Sequence, residues 1–339
     1  MKDKSTAASI HPHVELESLE FVMTINPAPI VYDEFGMFHE NAAEYSIAFS
    51  GPPTVHRQMF PVHSSAILSG LVWGSSAPEF AFLHGGAQNA HTWDTVGLAM
   101  NRPMIALDLP GHGHSDTAIG DTGIGDTDPF MVGVQRLVDA VSQSTTQPVH
   151  LVGMSLGGLM AIATAALAPH LVRSLTLVDI TPGVNQAKTQ AITAFVNGPA
   201  TFDSFDDLLA RTIQHNPTRS QSSLRRGILH NALQLPDGSW IWRYRRGDAP
   251  SPMSAEAAPA RFAQLWEPLA ALHVPVMLAR GMLAQSVLDD HDETTFLQHL
   301  PEAQVRHFAH AGHSVQGDMP VELAAAISEF ADSTDSKRR

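Results

Sequence analysis

The chain has 339 residues, of which 44% are hydrophobic, and this suits one large α/β domain with an insertion. Its formal net charge of −14 and the lack of a basic stripe argue against nucleic acid and anionic membrane surfaces as partners. No cysteine is present, so disulfides, thiolate metal sites and cysteine nucleophiles are excluded. Because no apolar run has the length of a signal-peptide core or of a transmembrane helix, we expect a cytoplasmic protein that does not enter a membrane.

The first part of the chain has few regular signals until residue 57. Residues 1–55 are predicted to be an N-terminal extension, which either wraps around the domain or forms an oligomer contact. A homo-oligomer through this extension, or through the insertion described below, is therefore one expectation. Further along, apolar runs predict regular structure. The predicted elements are strands at 57–62, 66–73, 79–84 and 103–108, a polar loop at 116–128 and a helix at 129–141.

The second part alternates strands and helices, apart from one block at 184–260. In that block the predicted elements are helices at 186–196, 205–213 and 222–233, and a hairpin at 232–244 that turns at an Asp-Gly pair. Around it lie predicted strands at 172–180, 275–280 and 304–308, and helices at 261–272, 290–300 and 320–331. Such alternation predicts a mostly parallel sheet with helices on both faces, built from 56–183 and 261–339. The block at 184–260 is then an insertion above the carboxyl ends of the strands, where ligands bind in this class of fold.

The sequence Gly153-Met154-Ser155-Leu156-Gly157 stands between a predicted strand at 149–152 and a predicted buried helix at 159–167. Strand, G-x-S-x-G and helix together are the context of a nucleophile elbow. At such a turn the serine has a strained backbone and its hydroxyl stands clear of the sheet, while the glycines give the room that the turn needs. Ser155 is therefore the candidate nucleophile, at a helix N-terminus whose free N–H groups can face an oxyanion.

A serine nucleophile needs a general base, and the base needs an orienting acid. His313 is favoured as the base because it follows the last predicted strand and precedes the last helix. That loop emerges at the same edge of the sheet as Ser155. The neighbouring His310 is less well placed.

Four stretches of the chain together resemble the α/β-hydrolase fold family, and the resemblance covers residues 57–332. It implies an α/β-hydrolase fold in which Ser155 is the nucleophile, His313 is the base and 184–260 is the cap, or lid, domain. It also implies an oxyanion hole made by the backbone N–H groups of Gly86 and Leu156. The four stretches are His84-Gly85-Gly86, Asp108-Leu109-Pro110-Gly111-His112-Gly113-His114-Ser115, Gly153-Met154-Ser155-Leu156-Gly157-Gly158 and Gly312-His313-Ser314.

The acid departs from the commonest pattern of that family. The family usually places an Asp about three residues after the glycine that ends the penultimate strand, and Ala284 holds that place here. Asp289 and Asp290 come slightly later, but they precede a predicted helix, where acids serve as caps. Asp179, at the end of the strand after the elbow helix, has no such role, and some branches of the family carry the acid there. We therefore favour Asp179, with Asp289 and Asp290 as alternatives.

No cofactor or metal is predicted. The chain has no P-loop and no dinucleotide fingerprint. His112 and His114 could suggest a metal, but no third ligand is nearby and the resemblance makes this segment a structural turn. Haloalkane dehalogenases and epoxide hydrolases of this fold need an Asp at the elbow. Because this chain has Ser155 there, these two enzyme classes are excluded.

Several large apolar side chains could form a substrate pocket. Trp93 and Met154, with the cap helices, could wall an apolar cleft. Trp240 and Trp242 alternate along one predicted strand and so share a face. They either line the pocket roof or pack the cap against the core, and packing is the preferred interpretation. An apolar cleft suits a small apolar ester or lactone.

The leading hypothesis is hydrolysis of a carboxylic ester, cyclic esters included, through an acyl-enzyme on Ser155. Three alternatives remain on the same fold: hydrolysis of a carbon–carbon bond, cofactor-free oxygenation by a His–Asp pair, and a non-catalytic ligand receptor. Fold alone does not decide between them. The complete set of serine, histidine and acid lowers the weight of the receptor.

Overall fold

A sheet of eight strands lies at the centre of the fold. The computed structural model describes residues 30–117, 128–184, 186–244 and 258–336. The strands of the described residues are β1 (Val55–Val62), β2 (Ala66–Trp73), β3 (Phe80–Leu83), β4 (Met104–Leu107), β5 (Val149–Met154), β6 (Val172–Val178), β7 (Thr201–Phe202), β8 (Ala232–Gln234), β9 (Trp240–Trp242), β10 (Val276–Gly281) and β11 (Gln304–Phe308). The central sheet has the order β1-β2-β4-β3-β5-β6-β10-β11. β2 runs antiparallel to both of its neighbours, and every other adjacent pair is parallel. The predicted mostly parallel sheet is confirmed.

Helices cover both faces of this sheet. The helices of the described residues are α1 (Phe38–Glu44), α2 (Asp94–Met100), α3 (Pro129–Ser144), α4 (Leu156–Leu167), α5 (Gln186–Val196), α6 (Phe205–His215), α7 (Gln221–Asn231), α8 (Ala258–Ala263), α9 (Trp266–Ala270), α10 (Asp290–His299), α11 (Val315–Asp318) and α12 (Pro320–Ser336). In β3, Ala81 and Leu83 join the hydrophobic cluster under α3 and α4, whereas Phe80 and Phe82 join the cluster under α2 and α12. Side chains of a strand alternate between faces, so a strand buried on both faces is apolar at every position.

Most predicted elements lie within a few residues of the observed ones, and one predicted helix is divided. The helix expected at 261–272 forms two short helices, α8 and α9, with a tight turn between them. Pro268 lies in α9 and has no N–H, so it cannot form the helical hydrogen bond back to the carbonyl of Gln264. The polar loop predicted at 116–128 falls largely outside the described residues.

Residues 186–244, which form most of the described part of the predicted insertion, have helices and a small sheet of their own, and we call them the inserted segment. It contains α5, α6 and α7 and a three-stranded antiparallel sheet in the order β7-β9-β8. The predicted hairpin is present, and its turn has Gly238 at a φ of 91° with its N–H donating to the carbonyl of Leu235. The buried apolar side chains of the inserted segment form a hydrophobic cluster that is separate from the two clusters of the sheet and also contains Ala87 of the loop after β3.

Residues 30–54, which belong to the predicted extension, lie against both the sheet core and the inserted segment. Phe38 of α1 is 3% exposed and packs edge-on against Trp73, with the ring centroids 5.1 Å apart. The hydroxyl of Tyr45 donates to the carbonyl of Gly317 at 2.9 Å, and Glu44 forms an ion pair with Arg226 of α7. Among the described residues, no helix is long and apolar enough to cross a membrane.

Candidate active site

Ser155 stands on a sharp turn between β5 and α4. Its φ of 51° and ψ of −121° lie in a region that non-glycine residues rarely adopt. Its N–H donates to the carbonyl of Val178 at 3.3 Å, so the turn is tied to the end of the neighbouring strand β6. Leu156 is the first residue of α4, and its N–H is one of those without a partner inside the helix. This geometry is that of the predicted nucleophile elbow.

The glycines of the elbow are required by close backbone contacts. A Cβ on Gly153 would collide with the carbonyl oxygen of Gly157. A Cβ on Gly157 would collide with the carbonyl oxygen of His84, in the loop after β3. The side chain of Ile180 would block one on Gly158. The sequence rule for these glycines therefore has a direct steric cause.

The loop after β3, residues 84–88, contains the predicted oxyanion donor Gly86 and lies beside the elbow; we call it the oxyanion loop. His84 is fully buried, and its Nε2 accepts from the N–H of Leu109 at 2.9 Å, so its Nδ1 carries the proton and donates to the carbonyl of Gly85 at 2.7 Å. Burial, followed by the nearby His112, lowers the pKa of His84 to about 3. A neutral histidine thus joins the loops that follow β3 and β4. Gly86, the predicted oxyanion donor, lies in the loop that this histidine holds.

Asp179 and His313 are joined by a hydrogen bond between Oδ2 and Nδ1 at 2.9 Å. Asp179 is fully buried directly after β6, with φ at 49°. Its Oδ1 accepts from the N–H of Gly281 at 2.9 Å and from the hydroxyl of Ser286 at 2.7 Å, and its Oδ2 also accepts from the N–H of Val287 at 3.1 Å. Three donors besides His313 therefore fix the carboxylate against the ring of His313, whose Nε2 is the nitrogen turned away from Asp179.

The alternative acids have other partners. Asp289 is the N-cap of α10, where its side chain accepts from the N–H groups of His291 at 2.9 Å and Asp292 at 3.1 Å. Asp290 has a side chain that is 94% exposed and pairs with Arg280 at 2.8 Å. The predicted capping role is therefore that of Asp289, which forms a capping box with Asp292. Neither acid is a partner of His313 in the structure.

The side chains of His112 and Asn231, for which the sequence predicts no such role, hold Ala87 of the oxyanion loop from two sides. Ala87, with a φ of 60°, donates its N–H to Nε2 of His112 at 3.1 Å. Its carbonyl accepts from the side chain of Asn231, at the end of α7, at 2.7 Å. The Asn89 side chain donates to the carbonyl of His230 at 2.9 Å. No local pattern marks Asn231, because its partner lies in a distant part of the chain.

The predicted pocket aromatics are mostly core residues. Trp93 is fully buried against Phe82, with the ring centroids 4.9 Å apart, so the prediction that it walls a cleft is wrong. Met154 is 2% exposed, and its sulfur lies where a Cβ of Gly85 would be. Trp240 packs edge-on against Phe205 inside the inserted segment. In each case the ring or thioether is buried against other parts of the fold.

A cavity of about 130 Å³ lies between the sheet core and the inserted segment. Ala87 and Gln88, which follow Gly86, form part of its wall, and so do Gln316 and Gly317, which follow His313. Trp242 is the member of the predicted pocket set that lines it. Its lining also contains charged and amide side chains, so it differs from the wholly apolar cleft that the sequence predicts.

One cluster in the described part of the chain, His91, Asp94 and His230, brings three metal-ligating side chains within 4.8 Å of one another. Its two imidazole rings are stacked, with centroids 3.7 Å apart and planes inclined by 10°. Because the nitrogen lone pairs lie in the ring planes, two stacked rings do not point at one ion. Asp94 instead lies 2.8 Å from Nδ1 of His91, and the Tyr32 hydroxyl lies 2.8 Å from Nδ1 of His230. The arrangement is that of a hydrogen-bonded charge cluster.

The carboxylates around His91 keep that ring protonated. Burial alone would lower the pKa of His91, but Asp94 and Glu34 outweigh it and raise the pKa to about 9. Burial and the charge of His91 hold the pKa of His230 well below its ordinary value. One stacked ring is therefore an imidazolium and the other is neutral.

The elbow, the buried acid–histidine pair and the strand order together define the class of protein to which this chain belongs. The chain also matches the family model described as alpha/beta hydrolase fold over residues 79–320. The chain belongs to the α/β-hydrolase fold family and is a hydrolase of that fold.

Among its relatives is Esterase Rv0045c of Mycobacterium tuberculosis, to which the chain is 39% identical over 302 residues, 87% of this chain and 94% of that protein. A solved structure of that esterase has a TM-score of 0.71 at 37% identity and covers 88% of this chain and 99% of its own. A pimeloyl-[acyl-carrier protein] methyl ester esterase of Nitrosomonas europaea is 26% identical over 245 residues, 70% of this chain and 90% of that protein.

Proposed function

We propose that the protein hydrolyses small carboxylic esters, cyclic esters included, through an acyl-enzyme on Ser155. The observation that carries the proposal is the hydrogen bond from His313 to the buried Asp179, at the sheet edge where Ser155 stands on its strained turn. Two relatives are named esterases, which supports an ester as the bond that is cleaved. The cavity of about 130 Å³ beside the site supports a small substrate.

In the first half of the reaction, the Ser155 hydroxyl attacks the ester carbonyl carbon. Nε2 of His313 takes the hydroxyl proton, and Asp179 stabilises the imidazolium that forms. The N–H groups of Gly86 and Leu156 donate to the oxyanion of the tetrahedral intermediate, and losing one such donor typically costs about 10²–10³ in rate. The imidazolium then gives its proton to the departing alcohol, which leaves Ser155 acylated.

In the second half, water replaces the alcohol. His313 takes a proton from the water, which attacks the acyl carbon, and the same two N–H groups hold the second oxyanion. Collapse of this intermediate releases the acid and returns the proton from His313 to Ser155. A lactone follows the same steps, with the alcohol and the acid leaving as one hydroxy acid.

The three alternative functions predict different products. A carbon–carbon hydrolase would cleave a diketone, an oxygenase would consume dioxygen, and a receptor would bind its ligand without turnover. None of these is favoured by a particular contact of the described residues, whereas the relatives favour ester hydrolysis.

The test is hydrolysis of 4-nitrophenyl acetate and butanoate by the wild type and by Ser155→Ala. We expect the variant to fold normally and to lose at least about 10⁴ in kcat/KM, as removal of a triad nucleophile does. Ser142→Ala, on the exposed side of α3, is the matched control and should keep full activity. Retention of turnover within tenfold of wild type by Ser155→Ala would exclude Ser155 as the nucleophile.

A further inference from the structure

The lining of the cavity between the sheet core and the inserted segment includes Arg219, a partly buried arginine that has no carboxylate partner among the described residues. Arg219 lies between α6 and α7, and its guanidinium donates to the hydroxyl of Ser223. Its Nε is buried and has no hydrogen-bond partner in the described part of the chain. Asp318 and Glu44 act on it only at longer range. Burial lowers the pKa of Arg219, as expected for a cation without an ion pair.

The neighbouring Arg226 shows what a satisfied arginine looks like in the same cavity wall. Its guanidinium forms ion pairs with Glu44 and, at 3.7 Å, with Glu40. A charge removed from water without a partner costs several kcal/mol on general grounds, so buried arginines are normally paired. Arg219, which is partly buried and whose Nε is fully buried, departs from that rule in the lining of the cavity.

A second buried polar group in the same cavity lacks a partner. Gln316 is 1% exposed, and its Oε1 has no hydrogen-bond partner among the described residues. Its amide nitrogen makes only long contacts, at 3.3–3.5 Å, with Ser314, Thr92 and Gln88. Because Gln316 follows His313 by three residues, the unsatisfied wall of the cavity lies next to the proposed base. Among the described residues that line the cavity, Asp94 alone has a carboxylate, and that carboxylate is hydrogen-bonded to His91 at 2.8 Å.

The cavity is also adjacent to the proposed nucleophile. Gln88 lines the cavity. A Cβ placed on Gly85 would lie 3.2 Å from Oε1 of Gln88 and 3.3 Å from the Cβ of Ser155, so both side chains lie beside Gly85. A substrate whose ester carbonyl is at Ser155 can therefore extend past Gln88 towards Arg219. The small volume limits that extension to a short chain.

We propose that the enzyme prefers short esters that carry a carboxylate, and that Arg219 binds this carboxylate in the cavity. The inference rests on the proposed ester hydrolysis and names the substrate class of that same site. A guanidinium binds a carboxylate with two parallel hydrogen bonds, which gives both affinity and orientation. The carboxylate belongs either to the acyl part or to the alcohol part of the ester, and the test separates the two.

The test compares esters of equal length with and without the carboxylate. Monomethyl glutarate against methyl pentanoate places the charge on the acyl part, and 4-acetoxybutanoate against butyl acetate places it on the alcohol part. We expect the wild type to favour one charged ester over its neutral counterpart in kcat/KM. Arg219→Gln should lower kcat/KM for that charged ester by about 10–100-fold, mainly through KM, and leave the neutral ester within about threefold.

Arg225→Gln is the matched control, because Arg225 is on α7 with a side chain that is 47% exposed. Arg225→Gln should leave kcat/KM unchanged for both the charged and the neutral ester. Arg219→Lys should keep part of the preference, and glutarate should inhibit methyl pentanoate hydrolysis competitively in the wild type but more weakly in Arg219→Lys. These two measurements keep the proposal testable if Arg219→Gln folds poorly.

Equal rates for charged and neutral esters in the wild type would overturn the proposal, and so would an equal loss on both esters in Arg219→Gln. Neither result would affect the proposed ester hydrolysis, which depends on Ser155→Ala losing turnover of methyl pentanoate. Retained turnover in Ser155→Ala would instead reject the proposed function itself.

Discussion

The carboxyl edge of the sheet and the junction with the inserted segment are built in different ways. At the sheet edge, backbone geometry fixes the candidate catalytic residues: Ser155 and Asp179 both have positive φ, and Gly157 touches the carbonyl of His84. At the junction, side chains from distant parts of the chain meet, as in the stack of His91 on His230. Strict local geometry is characteristic of the part that is proposed to do the chemistry. Long-range polar contacts are characteristic of the part that is proposed to bind the substrate.

The largest expected effect is a loss of catalysis when a candidate catalytic residue at the sheet edge is changed. Asp179→Asn keeps the size of the side chain but cannot fix the tautomer of His313 or stabilise its imidazolium, and in another triad such a change costs about 10⁴ in kcat. Asp289→Asn should cost little, because asparagine caps a helix nearly as well as aspartate does. Esterase kinetics of both purified variants measure this difference. A near-normal Asp179→Asn beside a crippled Asp289→Asn or Asp290→Asn would move the acid to the loop after β10.

The next effect concerns stability and compares two glycines. Gly157→Ala forces a Cβ into the His84 carbonyl, so we expect a loss of about 2–4 kcal/mol in the free energy of unfolding. Gly227→Ala in α7 of the inserted segment meets nothing within 4 Å and should stabilise the protein by up to about 1 kcal/mol. Urea unfolding of both variants tests the comparison. Similar values for the two would mean that the elbow backbone adjusts freely.

A smaller effect tests the link between the two regions. Asn231→Leu removes the donor to the Ala87 carbonyl at 2.7 Å, which leaves a buried acceptor unsatisfied. We expect a loss of about 1–3 kcal/mol in the free energy of unfolding, with a lower kcat, because the oxyanion loop then loses its hydrogen bond to the end of α7. An unchanged kcat at lower stability would show that the inserted segment does not position the loop.

The smallest expected effect is a pH dependence of stability at the junction. The raised pKa of His91, about 9, means that its contribution to stability is fully present below pH 6.5 and is lost as the pH rises through 9. Asp94, Glu34 and Arg57 are the charged groups that face it. We expect Tm to fall more steeply between pH 6.5 and 9.5 in the wild type than in His91→Gln. Replacement of the exposed His63 by Gln should leave the slope of Tm against pH as in the wild type. Parallel curves for the wild type, His91→Gln and His63→Gln would show that His91 does not cause the pH dependence.

The same contrast explains what the sequence could predict. The elbow and the Asp179–His313 pair follow from local rules: G-x-S-x-G between strand and helix, a carboxylate at a strand end without a capping role, and a histidine between the last strand and the last helix. The sheet was predictable because β3 and β5 are apolar at nearly every position, as strands buried on both faces must be.

The remaining parts depend on contacts that a single sequence does not contain. Trp93 was expected in a cleft, but only the packing against Phe82 reveals it as a core residue. Ser286 and Asn231 matter through partners 107 and 144 residues away. The charge balance around Arg219 likewise depends on which carboxylates the fold brings near it.

The central claim is that Ser155 forms a covalent acyl intermediate, and intact-mass analysis after treatment with a fluorophosphonate tests it most directly. The reagent phosphonylates a serine only where a base and an oxyanion hole activate it. We expect one adduct per chain in the wild type, located at Ser155 by peptide mapping, and none in Ser155→Ala. An adduct at another residue, or ester hydrolysis that persists without any adduct, would contradict the account.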